Sequence, residues 1–538
     1  MTPSPQSAAG WLLLENGRFW TADSSMPWTD AVLVFGERIA ALGGEARERA
    51  PRSAERIDLG GRLAVPGFID SHTHFRAGSL GMAAVQLRDA RSPEEFIRRI
   101  RDHAAALPPG AWITEGNWDH ENWGGELPTR AWIDSAAAGH PVFVSRLDGH
   151  MALASSEALR IAGIGPGAAD PPGGTIVKDT AGQPTGMLKD AAMDAVWPRV
   201  PEPSEPQVLR ALDAGLAYAA SEGVTSIQDM CSPRDPPLFA RLLREGRLTV
   251  RVYCREPVER VPELAAVGVT AGFGGPWLKL GSIKMFVDGS LGSSTAAFFE
   301  PFEGEPENRG LEMQSAEELY RALAAADRAR LQLSVHAIGD RAISDLLDVF
   351  ERIRAGNATW DRRWRIEHAQ HIAPKDFARF RDLAVVASMQ PYHLIDDGRW
   401  AERRIGRERL ATAYAFRTLL DAGVRLTFGS DWFVAPLSPL RGIHAAVTRR
   451  TLDGANPGGW VPEQKISLEE ALTAYTATAA WSAFEEAEKG RLAPGLLADA
   501  VVLERDLFRI PPEEIADVRV ALTIVGGRVA FRSTPYGG

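Results

Sequence analysis

Six side chains in this sequence have the donor chemistry of a divalent metal site. His72 and His74 stand two apart in "GFIDSHTHF", Lys284 lies in "GSIKMFVDG", His336 in "LSVHAIGD", His368 in "RIEHAQ" and Asp431 in "FGSDW". Imidazole and carboxylate donors suit zinc or a similar divalent ion. Five or six ligands exceed the three that one catalytic zinc takes from its protein, which points to two ions sharing a hydroxide. A ligand that bridges two cations has to be an anion. Lys284 meets that condition only if carbon dioxide carboxylates its amine to a carbamate, and burial favours the neutral amine that reacts. Each residue alone has a plainer reading: a satisfied strand histidine, a snorkelling lysine, a helix start in "RIEHAQH", an aspartate cap in "FGSDW".

The elements that position these residues follow from hydrophobic rhythm. Apolar runs fall at about 224–230, 248–254, 280–287, 331–336, 364–368, 385–390 and 424–430, and "GFIDSHTH" makes an eighth. Helical patterns alternate with them; "SAEELYRALAAADRAR" has a serine cap and acids in its first turn. Strands alternating with helices pair in parallel, and eight units close a (β/α)8 TIM barrel, an α/β fold, with a doubly wound open sheet as its competitor. Strand ends then deliver all six residues to one rim, and the period of two turns His72 and His74 the same way.

The chain outside this frame divides into two further parts. Residues 1–65 and 486–538 are β-like at both ends and are expected to join as a composite β-sandwich flanking a barrel over 66–485. About 150 residues separate the first two barrel strands, far more than one helix needs, so 76–205 carry an insertion that belongs over the C-terminal mouth. It contains a helix, "SPEEFIRRIRDHAAAL", strand-like "AWITEG" and "PVFVSR", and the loop-like stretches "ADPPGGTIV" and "GQPTGML".

Composition narrows the function. A net charge of −10 with no long basic run offers no nucleic-acid surface. No window approaches 18 apolar residues and the N-terminus lacks a signal-peptide pattern, so no membrane partner and a cytoplasmic location are expected. Two cysteines, Cys231 and Cys254, exclude a disulfide framework and read as buried packing. The 15 tryptophans suit either an apolar substrate portion or packing between domains.

The ordered motifs "VPGFIDSHTH", "IKMFVDGSLGS", "VHAIGDRAI", "RIEHAQ" and "FGSDW" resemble the amidohydrolase superfamily, and within it the YtcJ-like branch that includes N-substituted formamide deformylases. The resemblance covers nearly the whole chain. It implies that His72, His74 and Asp431 hold a more buried metal and His336 and His368 a more exposed one, bridged by carboxylated Lys284. It implies further that a bridging hydroxide attacks a substrate carbonyl while Asp431 shuttles the proton, in a homodimer acting on a small molecule.

Two positions depart from the branch: Ser294 stands where many relatives have Arg, and Phe433 where many have Pro. The first removes a cation that would recognise an anionic group, and the second makes a bulkier, more apolar pocket wall. Trp118, His120 and His150 in the insertion correspond to positions that face the active site in the branch, or else serve in packing. Asp288 either hydrogen-bonds substrate or caps the turn before Gly289. His393 follows the seventh strand and approaches the metals, whereas His371 and His444 read as non-ligands. The resulting expectation is a binuclear hydrolase, with zinc as its metal, that cleaves a C–N bond of amide, N-formyl or N-acyl type in a substrate with an apolar portion. Ester, lactone or carbamate hydrolysis on the same site is the alternative, and a non-catalytic binding protein the more distant one.

Overall fold

The computed structural model describes residues 10–137 and 139–533. The reading of the N-terminus as free of a signal segment falls partly on residues 1–9, outside the described residues. Eight parallel strands form the central sheet: β1 (Phe68–Thr73), β2 (Val224–Met230), β3 (Arg251–Pro257), β4 (Leu278–Phe286), β5 (Gln332–Ala337), β6 (Arg365–His368), β7 (Val386–Met389) and β8 (Leu426–Phe428). They pair in chain order. β8 returns to β1 through Asp431 N to His72 O at 2.7 Å and His74 N to Trp432 O at 2.7 Å, with a parallel bridge between Thr73 and Trp432. The seam therefore lies at the C-terminal rim, beside three of the six predicted ligands. Gly429 permits it: a Cβ there would stand 2.5 Å from the His72 backbone nitrogen.

The interior of this barrel is polar. Ser71, Gln228, Arg255, Ser282, Ser334, Arg365, Glu367, Ser388 and Thr427 are all fully buried, where such barrels ordinarily stack Val, Ile and Leu. Buried guanidinium groups persist only with partners. Arg365 donates to Glu367 Oε1 at 2.8 Å, to Ser388 Oγ at 2.6 Å and to the Ser71 carbonyl at 2.8 Å. Arg255 bonds Ser282, Ser334 and Gln228. This explains why β3 runs to Pro257 rather than ending near 254: Arg255 looks like a strand terminator but belongs to the interior network.

Helices cover the outside of the barrel. Glu205–Ser221 and Ala316–Arg328 both start from capping boxes, at Ser204 and Ser315. Their apolar faces, with that of Asp340–Gly356, supply buried Leu212, Leu323 and Leu347 to cores shared with the strands. Among the described residues no helix is long and apolar enough to cross a membrane.

The two chain ends share one eight-stranded sheet. Leu63–Pro66 lies antiparallel to Ala500–Leu503, with Ala500 opposite Pro66 and Leu503 opposite Leu63. A forked pair from Arg251 at the start of β3 to Asp499, 2.7 and 3.0 Å, fastens this sheet to the barrel.

The insertion has its own five-stranded sheet and its own core of Phe96, Trp118, Val142, Val144, Leu153 and Met187. Two stretches that read as loops are strands here: Gly174–Lys178 and Pro184–Asp190 pair antiparallel, joined by a turn in which Asp179 accepts from Gly182. Their Pro and Gly content hides the strand signal, which comes from cross-strand pairing rather than from propensity.

Candidate metal centre

Four histidines, a lysine and an aspartate converge at the barrel rim, and the hydrogen bonds around them fix which atoms face inward. Glu367 accepts from His72 Nδ1 at 2.7 Å. Arg365 and His72 hold that carboxyl well below the usual range against the effect of burial, so it is ionised and accepts only. Nδ1 of His72 therefore carries the proton and Nε2 is left as a lone pair. The Gly289 carbonyl 3.0 Å from His336 Nε2 sets the opposite tautomer there, freeing Nδ1. Gln390 Oε1, 2.8 Å from His368 Nδ1, leaves Nε2 of that ring free. Such outer partners orient metal-binding imidazoles and raise their basicity.

The freed atoms of His72 and His368 each belong to a group gathered on Asp431. Nε2 of His74 is 3.2 Å and Nε2 of His72 3.5 Å from Asp431 Oδ1. The His368 ring centre lies 4.8 Å from that of His72 and 4.5 Å from that of His336. His72 Nε2, Lys284 Nζ, His393 Nε2 and Asp431 Oδ1 are all buried without a hydrogen-bond partner. Buried polar atoms normally find one, and the orphaned imidazole nitrogens and carboxylate oxygen fit a divalent ion, with Lys284 Nζ beside them. Donor atoms of His72, His74 and Asp431 lie within 4.8 Å of one another, and so do those of His368, His393 and Asp431. His393, expected to approach the metals, joins His368 and Asp431, while His336 stands beside the group rather than within a three-membered cluster.

Electrostatics agree with ligand roles. Burial, and then the neighbouring Lys284, push His72 down to about 4. Burial likewise holds His336 and His368 well below the ordinary imidazole value. Burial works to raise Asp431, but His72, His74 and His368 outweigh it and keep the carboxylate ionised. Burial lowers Lys284 to about 8, aided by Arg255 and Arg365 and opposed by Glu367 and Asp431. The backbone is left-handed at His368 (φ 75°) and Asp431 (φ 59°), as it is at positions away from the site such as Arg330 and Ala384.

A cavity of about 240 Å³ opens over the centre. Phe433 forms one wall, its ring 6.0 Å from that of His74. His150 lines the cavity from the insertion, its Nδ1 2.7 Å from Asp190 and its ring 5.5 Å from that of His336. Three other expected pocket residues lie elsewhere. Trp118 is fully buried in the insertion core, donating Nε1–H to the Val144 carbonyl at 2.8 Å. His120 is buried behind the wall, accepting from Arg146 Nε at 3.3 Å. Asp288 is a loop staple: its carboxylate accepts from the amides of Ala297, Ile338 and Gly339 at 2.8–3.0 Å. Ser294 accepts from Arg404 at 3.0 Å, and neither residue lines the cavity. His371 is buried away from the cluster, against Phe298 and Tyr414.

Several functional residues escaped the sequence reading. Asp70 accepts from the Ser430 amide at 2.9 Å and the His72 amide at 3.1 Å, tying β1 to the turn after β8. Its signal was present, since it stands one strand period before His72. Glu367 had the same signal, two residues after Arg365. Arg146 and Asp148, paired at 2.8 Å on the cavity wall, gave none.

A parallel barrel whose rim gathers these donors defines a class of metal-dependent hydrolases. The chain belongs to the Amidohydrolase family, whose model matches residues 55–531. Within it the chain is similar to protein LONG AFTER FAR-RED 3 of Arabidopsis thaliana, 38% identical over 99% of this chain and 93% of that protein. It is 29% identical to the putative amidohydrolase YtcJ of Bacillus subtilis over 94% of this chain and 96% of the relative. It is 28% identical to the N-substituted formamide deformylase of Arthrobacter pascens, over 97% and 98%. These relatives place it in the YtcJ-like branch. A solved structure of an uncharacterized metal-dependent hydrolase from Pyrococcus horikoshii superposes with a TM-score of 0.77 at 27% identity, covering 94% of this chain and 99% of that one.

Proposed function

We propose that this hydrolase cleaves an amide-type C–N bond, of the N-formyl or N-acyl kind, with two divalent ions held by His72, His74, His336, His368, Asp431 and a carboxylated Lys284. The cluster of orphaned donor atoms carries this reading. Zinc suits the donor set. A divalent pair bound here ionises water near neutral pH and polarises a carbonyl.

The chain's own residues then divide the work. Glu367, Gly289 and Gln390 fix three imidazole tautomers so that each presents a lone pair inward. Lys284, lowered to about 8 by burial, keeps enough neutral amine near pH 8 to take up carbon dioxide. Asp431, ionised and 3.2 Å from His74, accepts the proton of the attacking water and returns it to the departing nitrogen. The name of the formamide deformylase relative supports the choice of bond.

Purified protein should contain close to two divalent ions per chain and should release amine from N-formyl or N-acyl substrates. The screen pairs these with carbamates and lactones of matched size. Hydrolysis confined to lactones, or an active metal-free protein, refutes the proposal.

A further inference from the structure

A second group of donor side chains lies behind the turn that carries His74. Asp229 stands near the end of β2, Cys231 just after it, and Asp235 at the start of the helix Asp235–Arg244. Donor atoms of the three lie within 4.8 Å of one another, and all three residues are buried. None belongs to the set at the barrel rim. Asp229 Oδ1 accepts from Thr73 Oγ1 at 2.9 Å and from the Phe75 amide at 2.6 Å, so the group touches both chain neighbours of His74.

Hydrogen bonds leave this group incomplete. Cys231 Sγ donates to Asp229 Oδ2 at 3.2 Å, and Asp235 Oδ2 accepts from the Ser232 amide at 2.7 Å. Asp235 Oδ1 is buried with no hydrogen-bond partner, on a side chain only 6% exposed. Arg76 Nε, 3.6 Å away, is beyond hydrogen-bond reach and equally unpartnered. Buried carboxylate oxygens normally find a donor, and acids packed this closely repel when ionised. A cation among them answers both conditions.

The donors select the cation. A thiolate with two carboxylates suits zinc or cobalt(II), whereas magnesium and calcium take oxygen ligands. In a tetrahedral zinc site, bonds of about 2.3 Å to sulfur and about 2.1 Å to oxygen set those two donors about 3.6 Å apart. The Cys231–Asp229 pair at 3.2 Å needs to open by only about 0.4 Å to match. Cys231 also walls a hollow of about 230 Å³ together with His74 and Lys284, which gives an ion its path and a water to complete its coordination. Burial raises the thiol well above its ordinary value. A bound cation reverses that, because a coordinating thiol is deprotonated outright.

We propose that Asp229, Cys231 and Asp235 form a further divalent-cation site, for zinc or an ion of like softness, separate from the centre at the rim. On binding, the Sγ–H bond breaks and its proton leaves to water in the hollow. Sulfur and Asp229 Oδ2 exchange their shared hydrogen bond for bonds to the ion. This proton loss makes it the weaker site, filled after the centre. The assignment holds whichever bond the centre cleaves.

The chain has two cysteines, and the six donors at the rim contain no sulfur. A cobalt–thiolate charge-transfer absorbance therefore reports a cysteine site and not the centre. Full-length protein, carrying its metals as purified, is titrated with cobalt(II) chloride. Wild type is expected to develop the absorbance, and added zinc to displace it. Cys231→Ser should abolish it. Asp235→Asn, which keeps an oxygen for the Ser232 amide, should weaken cobalt binding at least about tenfold. No absorbance in wild type, its survival in Cys231→Ser, or unchanged affinity in Asp235→Asn each overturn the assignment. If Cys231→Ser does not fold, the wild-type absorbance and the Asp235→Asn affinity decide.

Discussion

Glu367→Gln tests how the barrel interior supports the metal centre. The wild-type carboxylate accepts from His72 Nδ1 at 2.7 Å and from Arg365 Nε at 2.8 Å, with Arg255 4.0 Å away. Glutamine keeps the shape but offers one acceptor oxygen and turns an NH2 group toward another donor. Two buried guanidinium groups then lose their nearby anion, and removing one member of a buried ion pair costs about 3–5 kcal/mol. The orientation of His72 suffers separately, since loss of a carboxylate behind a ligating histidine weakens metal binding about 10–100-fold, or about 1.4–2.7 kcal/mol at 1.36 kcal/mol per decade. Chemical denaturation of the metal-free protein reads the first effect, and competition with a fluorescent chelator reads the second. The pH dependence has a definite sign. Glu367 is held well below 4.5 in the folded chain, so its contribution is present above about pH 4.5 and fades as pH falls further. Glu367→Gln should lack that fading part. A folded variant with wild-type metal affinity would falsify the proposed support of His72 by this carboxylate.

Other substitutions probe separate features. Lys284→Ala should lose most bound metal and activity, with partial recovery in millimolar short carboxylic acids; full activity without them removes the bridge. His371 is buried with neither ring nitrogen bonded, so His371→Leu should stabilise the fold by about 1 kcal/mol in denaturant titrations at pH 7. Burial holds His371 near 3 against an ordinary 6.5. The unfolded chain therefore binds the extra proton between those values, and the wild type loses stability there as pH falls, a loss the variant should lack. Asp288→Ala leaves three buried amides without an acceptor. It should lower stability by about 2–4 kcal/mol and, because Asp288 Oδ1 also lies 3.5 Å from His336 Nε2, lower metal content as well as raise KM.

The fold class and the six principal donors were legible in the sequence because both depend on short-range periodicity. Alternating strands and helices repeat locally, and a histidine at a strand end faces the barrel rim whatever its neighbours do. That rule places His72, His74, His336 and His368 at strand ends, while Lys284 lies within β4 and Asp431 in the turn after β8, and the reading of all six as ligands drew on the set taken together and on the family resemblance. Tertiary structure decided what depends on distant partners. Glu367, Arg255 and Arg365 make a charged barrel interior because residues 112 apart or more in some of its pairs meet there, as Arg255 and Glu367 do. Trp118 and Asp288 turned from pocket to scaffold because each found its partners in backbone groups that no spacing specifies. His393 joined His368 and Asp431, and Arg404 reached Ser294, through folding that brings separate loops together. Local pattern assigns each residue its element and its face; only the packed chain assigns its neighbours, and the chemistry of this site lies between neighbours.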